Sequence, residues 1–499
     1  MEIESLLRQS GPLLSSELAD ELEKILSLKP EAARKRIERS KAAGKIKALD
    51  KLRLRRNEQF LYLPEHAGTP QLIESLKQGL SKAKSPLYDV LMAMQARGGM
   101  ILQTTFPAVS GLPIAGNKKL LAENAKSLLL DYKLVVEKEN SLGSCLQLNK
   151  EVFGPPAETR RLAARLRAEQ ICIQGLLDWL RLQGMVTAEK ASVRGGITPP
   201  QFGFFAWDLV SPSYIHALTH HVENRVVNGF VVADVCLGRT LTAADIQYFF
   251  NKVISAGSPY NRPFISFLVG QFFEKDALLL GRKLGIMLTT PSNLFGIDFG
   301  QILEEVVELL DTPDWQTEQQ AVDIQQLMDR IAHYTHMEGV MGNLLADTFE
   351  FFVAHCNALD WGRPMFGRKF ADENKIEYDC DILFKKHGKG TLAIECKKKN
   401  RNSLVSDLEV SHWFETVAPL IYNENQQDRY FKDKDCEFSI WTNSDFHPDA
   451  LALLTMLEAS IRTTRSFSMS WKNGEQMKDI LRKTQDKKLL DLYKQHFDK

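Results

Sequence analysis

The sequence predicts a multidomain α/β protein, with helical modules at its N-terminus followed by α/β/α domains whose mixed central sheets are flanked by helices. Three observations predict it. The 499 residues exceed what one hydrophobic core organises and imply three or four domains. Helical periodicity dominates the first 150 positions, whereas apolar β-prone runs alternate with helical segments from about 200 onward. Near the C-terminal third, two β-prone runs flank the turn sequence KKHGKG and bring carboxylates into register.

Composition bounds the function. Apolar residues make up 44% and charged residues 25% of the chain, an ordinary globular balance. The formal net charge is zero, so contact with nucleic acid must come from local patches. The seven cysteines form no CxxC pair and no zinc-ligand spacing, as expected of reduced thiols in a cytoplasmic protein. No uncharged apolar run approaches the ~20 residues that span a bilayer, so no membrane is expected among the partners. The opening MEIESLLRQSG is acidic and helically spaced, and is expected to be a helix rather than a signal peptide.

Residues 1–66 predict three helices and a two-stranded wing. Glu2 to Gln9 forms the first helix. Ser15 or Ser16 caps the second, which places Leu18, Leu22 and Ile25 on one face. Pro30 opens the third at its first turn, and Gly44 ends it. Ile46 to Leu54 and Gln59 to Leu63 supply the wing. From Lys29 to Arg56 there are 12 Lys and Arg against 3 Asp and Glu. Burying Ala33, Ile37 and Ser40 turns Arg34, Lys35, Arg39 and Lys41 outward, where a helix fits a major groove. Arg53, Arg55 and Arg56 on the wing then reach phosphates. This pattern resembles the winged helix-turn-helix family, which implies double-stranded DNA as a partner. Residues 70–150 look like a second winged-helix-like domain: Leu87 to Met94 is helical, Lys118 to Tyr132 is the third helix, and Leu134 to Val136 with Cys145 to Leu148 is the wing. Its mixed charge fits spacing or dimerisation as well as DNA contact.

Residues 155–330 predict a helix over 158–184, then strands at Phe202 to Val210, Phe230 to Val235, Phe264 to Val269 and Ile286 to Thr289. Here FISFLVGQFFEKDALLL (264–280) aligns with FSIWTNSDFHPDALALL (438–454), setting Phe273 on Phe446 and Asp276 on Asp449. Upstream of these, Asp234 falls on Glu395 and Cys236 on Lys397. Asp208 falls on Asp381, although its spacing to Asp234 is 26 rather than 14. The segment is expected to be a degenerate copy of the downstream domain that lacks the lysine. A polar connection and helix follow at 311–334, where His333 and His336 are expected to serve surface or packing roles.

The decisive stretch is KIEYDCDILFKKHGKGTLAIECKKKNR. Ile376 to Phe384 and Thr391 to Ile394 are β-prone, and Gly388 and Gly390 supply the turn. Centring the hairpin on Gly388 sets Asp381 opposite Glu395 and Asp379 opposite Lys397, all on one face. Opposed Cβ atoms lie roughly 4.5–5.5 Å apart. Two carboxylates with an ammonium beside them suit a hard divalent cation, Mg²⁺ with Mn²⁺ as a substitute, and phosphodiester hydrolysis. Lys397 is positioned to orient water or offset developing charge.

These residues resemble the PD-(D/E)XK, or restriction-endonuclease-like, nuclease superfamily, in an Mrr-like flavour, over 335–485. Asp381 matches its metal Asp and Glu395-Cys396-Lys397 its E-x-K. Gly342 to Cys356 looks like its first core helix, which implies that Glu350 points at the metal. Phe438 to Leu454 looks like its next strand and helix, and Ser466 to Trp471 like its last strand. Asp379 takes the place of the acidic residue that often precedes the metal Asp. The resemblance implies a metal-dependent DNA endonuclease docked by the winged helices, in bacterial defence against foreign DNA, with a homodimer and partner proteins of a defence system among its expected associations. Lys385, Lys386, Lys389, Lys398, Lys399 and Arg401 are expected to hold phosphates. Residues 486–499 are expected to be a solvated, Lys-rich terminal helix. Two rival readings are a DNA-binding regulator with a non-catalytic nuclease fold, and a nuclease gated by a ligand that the middle domain senses.

Overall fold

The computed structural model describes the chain apart from residues 1–2, 50, 117–119, 188–189, 196–197, 223–224, 258–261, 312–337, 375, 400–402, 433, 465–466, 484–489, 492, 495–496 and 498–499. His333, His336 and Arg401 lie outside the described residues. The protein is a mixed α/β chain of two compact units. The first comprises 1–162, 184–194 and 199–290, and the second 163–183, 195–198 and 291–499.

The first unit opens with α1 (Ile3–Ser10), β1 (Leu13–Leu14), α2 (Ser15–Leu26), α3 (Pro30–Ala42), β2 (Lys47–Ala48) and β3 (Phe60–Tyr62), in a sheet of order β1-β3-β2. Leu6, Leu7, Leu18, Leu22, Ala33 and Ile37 fill its core. The α2 cap differs from the expectation. Leu14 is the N-cap, Glu17 accepts its N–H at 3.3 Å, and the Ser15 hydroxyl donates to Glu58 at 2.8 Å. The first wing strand is shorter than expected because Leu52 and Leu54 turn into the core.

Next come α4 (Pro70–Lys82), α5 (Pro86–Ala96), β4 (Met100–Leu102), α6 (Phe106–Ser110), α7 (Ala122–Asp131), β5 (Val135–Asn140) and β6 (Gly143–Leu148). From α5 onward the helix–strand–helix–helix–strand–strand order repeats, again with the third strand of the module central: β4-β6-β5. The short α8 (Lys150–Phe153) leads into α9 (Thr159–Leu182), most of which belongs to the second unit.

The first unit then builds β7 (Ser192–Val193), β8 (Gln201–Phe202), β9 (Phe205–Ala206), β10 (Leu209–Pro212), β11 (His220–Val222), β12 (Arg225–Val227), β13 (Phe230–Leu241), α10 (Ala243–Ala256), β14 (Phe264–Phe273), α11 (Lys275–Leu284) and β15 (Met287–Thr289). The strand expected over 202–210 is broken. Gly203, at φ +61°, turns Phe202 back onto Phe205 as a tight β8–β9 hairpin, and β10 starts afresh. One apolar core runs from Leu14 and Phe60 through Leu91, Trp207 and Phe249 to Ile286.

The second unit contains α12 (Pro291–Phe295), α13 (Ile297–Asp311), α14 (Glu338–Trp361), β16 (Met365–Ala371), β17 (Glu377–Lys386), β18 (Gly390–Lys397), α15 (Asp407–Ser411), α16 (Ala418–Gln427), β19 (Asp435–Thr442), α17 (Pro448–Thr464), β20 (Ser468–Lys472) and α18 (Gly474–Lys483). The chain passes from α15 to α16 through a wider π-helical turn, His412–Val417, just before Pro419, which cannot donate to the helical ladder.

Both large sheets have the same plan. One reads β7-β10-β13-β14-β15 and the other β16-β17-β18-β19-β20. In each, the first two pairings are antiparallel and the last two parallel. Helices bridge the parallel strands, as such connections require. The terminal segment is not wholly solvated: among its described residues Asp491 and Lys494 are exposed but two aromatics are not. Tyr493 and Phe497 are buried, their rings against Phe349 and Phe352 of α14, because two aromatic anchors outweigh the solvation of the lysines around them.

Candidate active site

The β17–β18 hairpin positions the site. Its register runs from Lys386↔Gly390 through Phe384↔Leu392 and Leu383↔Ala393 to Ile382↔Ile394, and Asp381 and Glu395 are the residues next beyond that last pair. Gly390, at φ +136°, lies so near the Asp435 backbone that a Cβ would meet its carbonyl oxygen at 2.1 Å. Glycine there lets β19 pair closely beside β18.

Asp381 Oδ2 accepts the Cys396 N–H at 2.7 Å, and Lys397 Nζ donates to Glu395 Oε1 at 2.7 Å. Burial and the adjacent Asp381 charge push the Glu395 carboxyl up to about 8, against the pull of Lys397. Burial pushes Asp381 up to about 6, against the Cys396 N–H and the Lys397 charge. Burial draws Lys397 down, but the Glu395 charge and hydrogen bond and the Asp381 charge leave it above its usual value. Burial also pushes the Cys380 and Cys396 thiols well up, so both stay neutral. Buried Glu395 and half-buried Asp381 share one ammonium. That leaves a deficit of positive charge among hard oxygen donors, a set that fits Mg²⁺ completed by water. Among the described residues no three His, Cys, Asp or Glu side chains stand together in metal-ligating geometry. Glu350, the third carboxylate expected here, is instead gripped by Arg167 of α9, whose Nη2 lies 3.0 and 2.9 Å from its two oxygens. Asp379 is exposed on the same strand, and its charge adds to the upward push on both inner carboxyls.

Sequence reasoning missed Arg167. It is 183 residues from Glu350 in an ordinary arginine-rich helix, and no local signal marks it. The end of β18 is held from β19: Thr442 Oγ1 donates to the Lys397 carbonyl at 2.7 Å, and Asn443 Oδ1 accepts the Lys399 N–H at 2.6 Å.

The basic residues divide. Lys398 is half-buried, and burial lowers its pKa. Lys399 is tied to both oxygens of Glu409 at 2.6 and 2.8 Å, so it braces the loop before α15. Lys385 pairs with Asp428, and Lys386 and Lys389 donate to the Asp360 carbonyl. All three sit toward the turn end of the hairpin: Lys385 is level with Thr391 and Lys386 with Gly390, four and five residues from Glu395, or about 13–17 Å along a strand, and Lys389 lies beyond them. They do not surround the carboxylates. In the first unit Arg34, Lys35 and Arg39 are exposed on α3, and Arg53, Arg55 and Arg56 are exposed between β2 and β3. Lys41 is half-buried and bound to Glu38 and Gln59, so it faces the module rather than solvent.

No described helix is long and apolar enough to cross a membrane. No known family, curated protein or solved structure matches the chain.

Proposed function

We propose that the chain is a Mg²⁺-dependent DNA endonuclease that cuts at Asp381, Glu395 and Lys397 and docks on duplex DNA through its N-terminal modules. The carrying observation is the Asp381–Glu395 pair, half-buried and buried, bonded to one ammonium on two adjacent strands of a mixed five-stranded sheet. This arrangement supports a restriction-endonuclease-like domain. The repeated helix–strand–helix–helix–strand–strand order supports two winged helices, and the exposed Arg34, Lys35, Arg39, Arg53, Arg55 and Arg56 support DNA docking by the first.

Asp381 and Glu395 would hold the ion. Bound there, Mg²⁺ supplies Lewis acidity toward a phosphoryl oxygen and acidifies water. The Cys396 N–H fixes the Asp381 carboxylate in place. Lys397, leaning on Glu395, orients the attacking water and offsets the negative charge that builds on the phosphoryl oxygens in the transition state. Arg167 holds Glu350 and keeps its charge off the carboxylate pair. Thr442 and Asn443 fix the strand end that carries Lys397. The test is plasmid relaxation by the purified full chain. Cutting should require Mg²⁺ or Mn²⁺, stop with chelator, and disappear in Lys397→Ala with DNA binding retained. Wild-type nicking by Lys397→Ala would sink the proposal.

A second reading, in which the first unit senses a ligand, is favoured by one cavity of about 320 Å³ bordered by Arg55, Asp89, Ser110 and Asn251. Asp89 there accepts from Asn251 at 2.8 Å, and burial raises its carboxyl to about 6. On that reading Asp89→Asn leaves DNA binding intact but uncouples cutting from the ligand.

A further inference from the structure

The first unit contains a second carboxylate pair at the equivalent place. In β10–β13 the register runs Leu209↔Ala233, as Ile382↔Ile394 does in β17–β18. Asp208 and Asp234 therefore stand where Asp381 and Glu395 stand. The hydrogen bonding repeats as well: Asp208 Oδ2 accepts the Val235 N–H at 2.8 Å, as Asp381 Oδ2 accepts the Cys396 N–H at 2.7 Å. Leu268 of β14 pairs with Asp234 as Ile440 of β19 pairs with Glu395. This register shifts the sequence alignment of those two strands by two residues, which keeps every side chain on its face.

The cations differ. Cys236 takes the position of Lys397, but Lys252 enters from α10. Its Nζ lies 2.6 Å from Asp234 Oδ2, 3.3 Å from the Ala108 carbonyl oxygen and 4.0 Å from the centre of the Trp207 ring. Arg194 pairs with Asp208 at 3.2 Å, and Arg97 donates to the Tyr248 hydroxyl at 2.9 Å beside them. Lys252 is 0%, Asp234 1% and Asp208 2% exposed. An ammonium taken wholly out of water costs several kcal/mol unless it is well paired. Two cations, Lys252 and Arg194, pair directly with these two carboxylates, whereas among the described residues Lys397 alone pairs with the Asp381–Glu395 couple, Arg167 acting on Asp381 through space from its pairing with Glu350. The first pair needs no further positive charge and the second does.

We infer that the Asp208–Asp234 pair is a sealed counterpart of the Asp381–Glu395 site, in which the Lys252 ammonium stands where a divalent cation would, so that removing that ammonium turns the pair into a divalent-cation site. The inference rests on the metal reading of Asp381 and Glu395. The same chain therefore cuts from one unit only, with the other closed by its own side chain.

The test uses the full chain in an Asp381→Asn/Glu395→Gln background, so that any metal response belongs to the first unit. Bound Mn²⁺ is counted by electron paramagnetic resonance, and thermal unfolding is followed with and without Mn²⁺. The background should bind no ion. Adding Lys252→Ala, which leaves room for an ion and its waters, should bind one ion and raise the first unit's unfolding midpoint by about 5 °C at one hundred times its dissociation constant. Adding Asp234→Asn/Lys252→Met instead should give neither response. The inference is overturned if the background itself binds Mn²⁺ in the first unit. It is overturned equally if the Lys252→Ala protein binds none, or if it fails to fold with Mn²⁺ present. Absence of Mn²⁺ from the otherwise wild-type chain would instead defeat the metal reading of Asp381 and Glu395, a separate result.

Discussion

Glu395 should make the metal-free protein lose stability as the pH rises. Its carboxyl ordinarily titrates at 4.5 and is pushed to about 8 in the folded chain, first by burial and then by the Asp381 charge. Below 4.5 both folded and unfolded chains carry the proton, and the group is neutral in its effect. Between 4.5 and 8 the unfolded chain has released a proton that the folded chain keeps, so stability falls by about 1.4 kcal/mol per pH unit. The loss is complete above 8 and amounts to about 5 kcal/mol for the whole window. Glu395→Gln keeps the shape and removes the titration. The variant should match wild type near pH 4.5 and exceed it by up to that margin at pH 9. Mg²⁺ should recover much of the wild-type loss and little in the variant. Urea unfolding of chelator-treated protein, followed by tryptophan fluorescence (Trp413 and Trp441 are buried in this unit), reads the difference. Parallel stability–pH curves for the two proteins would refute the reasoning, because the burial and the Asp381 charge that raise the Glu395 carboxyl would then be absent.

Three further outcomes follow from the geometry. Asp381→Asn and Glu395→Gln should each abolish most Mn²⁺ affinity, and the double variant should lose little more, since both carboxylates serve one ion; calorimetric titration would expose additive losses. Neutralising Arg34, Lys35 and Arg39 together should weaken duplex binding on all sequences and lower the salt slope by roughly 0.9 for each lost phosphate contact; an unchanged slope would remove α3 from the DNA surface. Arg167→Ala leaves the Glu350 charge buried without its partner and should cost about 3 kcal/mol, whereas Arg167→Ala/Glu350→Gln should recover most of it. Equal losses in the single and double variants would mean that the pair carries no such role.

The hairpin was legible from sequence because its information is local. A glycine turn at 388 and a period of two decide which side chains share a face, and the register Ile382↔Ile394 follows from them. Pro30 opening α3 and the Phe438–Leu454 strand and helix were legible for the same reason. The 202–210 strand was misread because Gly203 at positive φ reverses an otherwise strand-like run. The burial of Tyr493 and Phe497 was hidden by the lysines around them.

The charge partners were another matter. From sequence alone Asp381, Glu395 and Lys397 form a group, and Asp234 with Cys236 looks like its damaged copy. Only the tertiary structure brings Lys252 to Asp234, Arg167 to Glu350 and Lys399 to Glu409. Backbone periodicity encodes which face a residue occupies. It does not encode which distant helix packs over that face, and the electrostatics of a buried carboxylate depend on that packing.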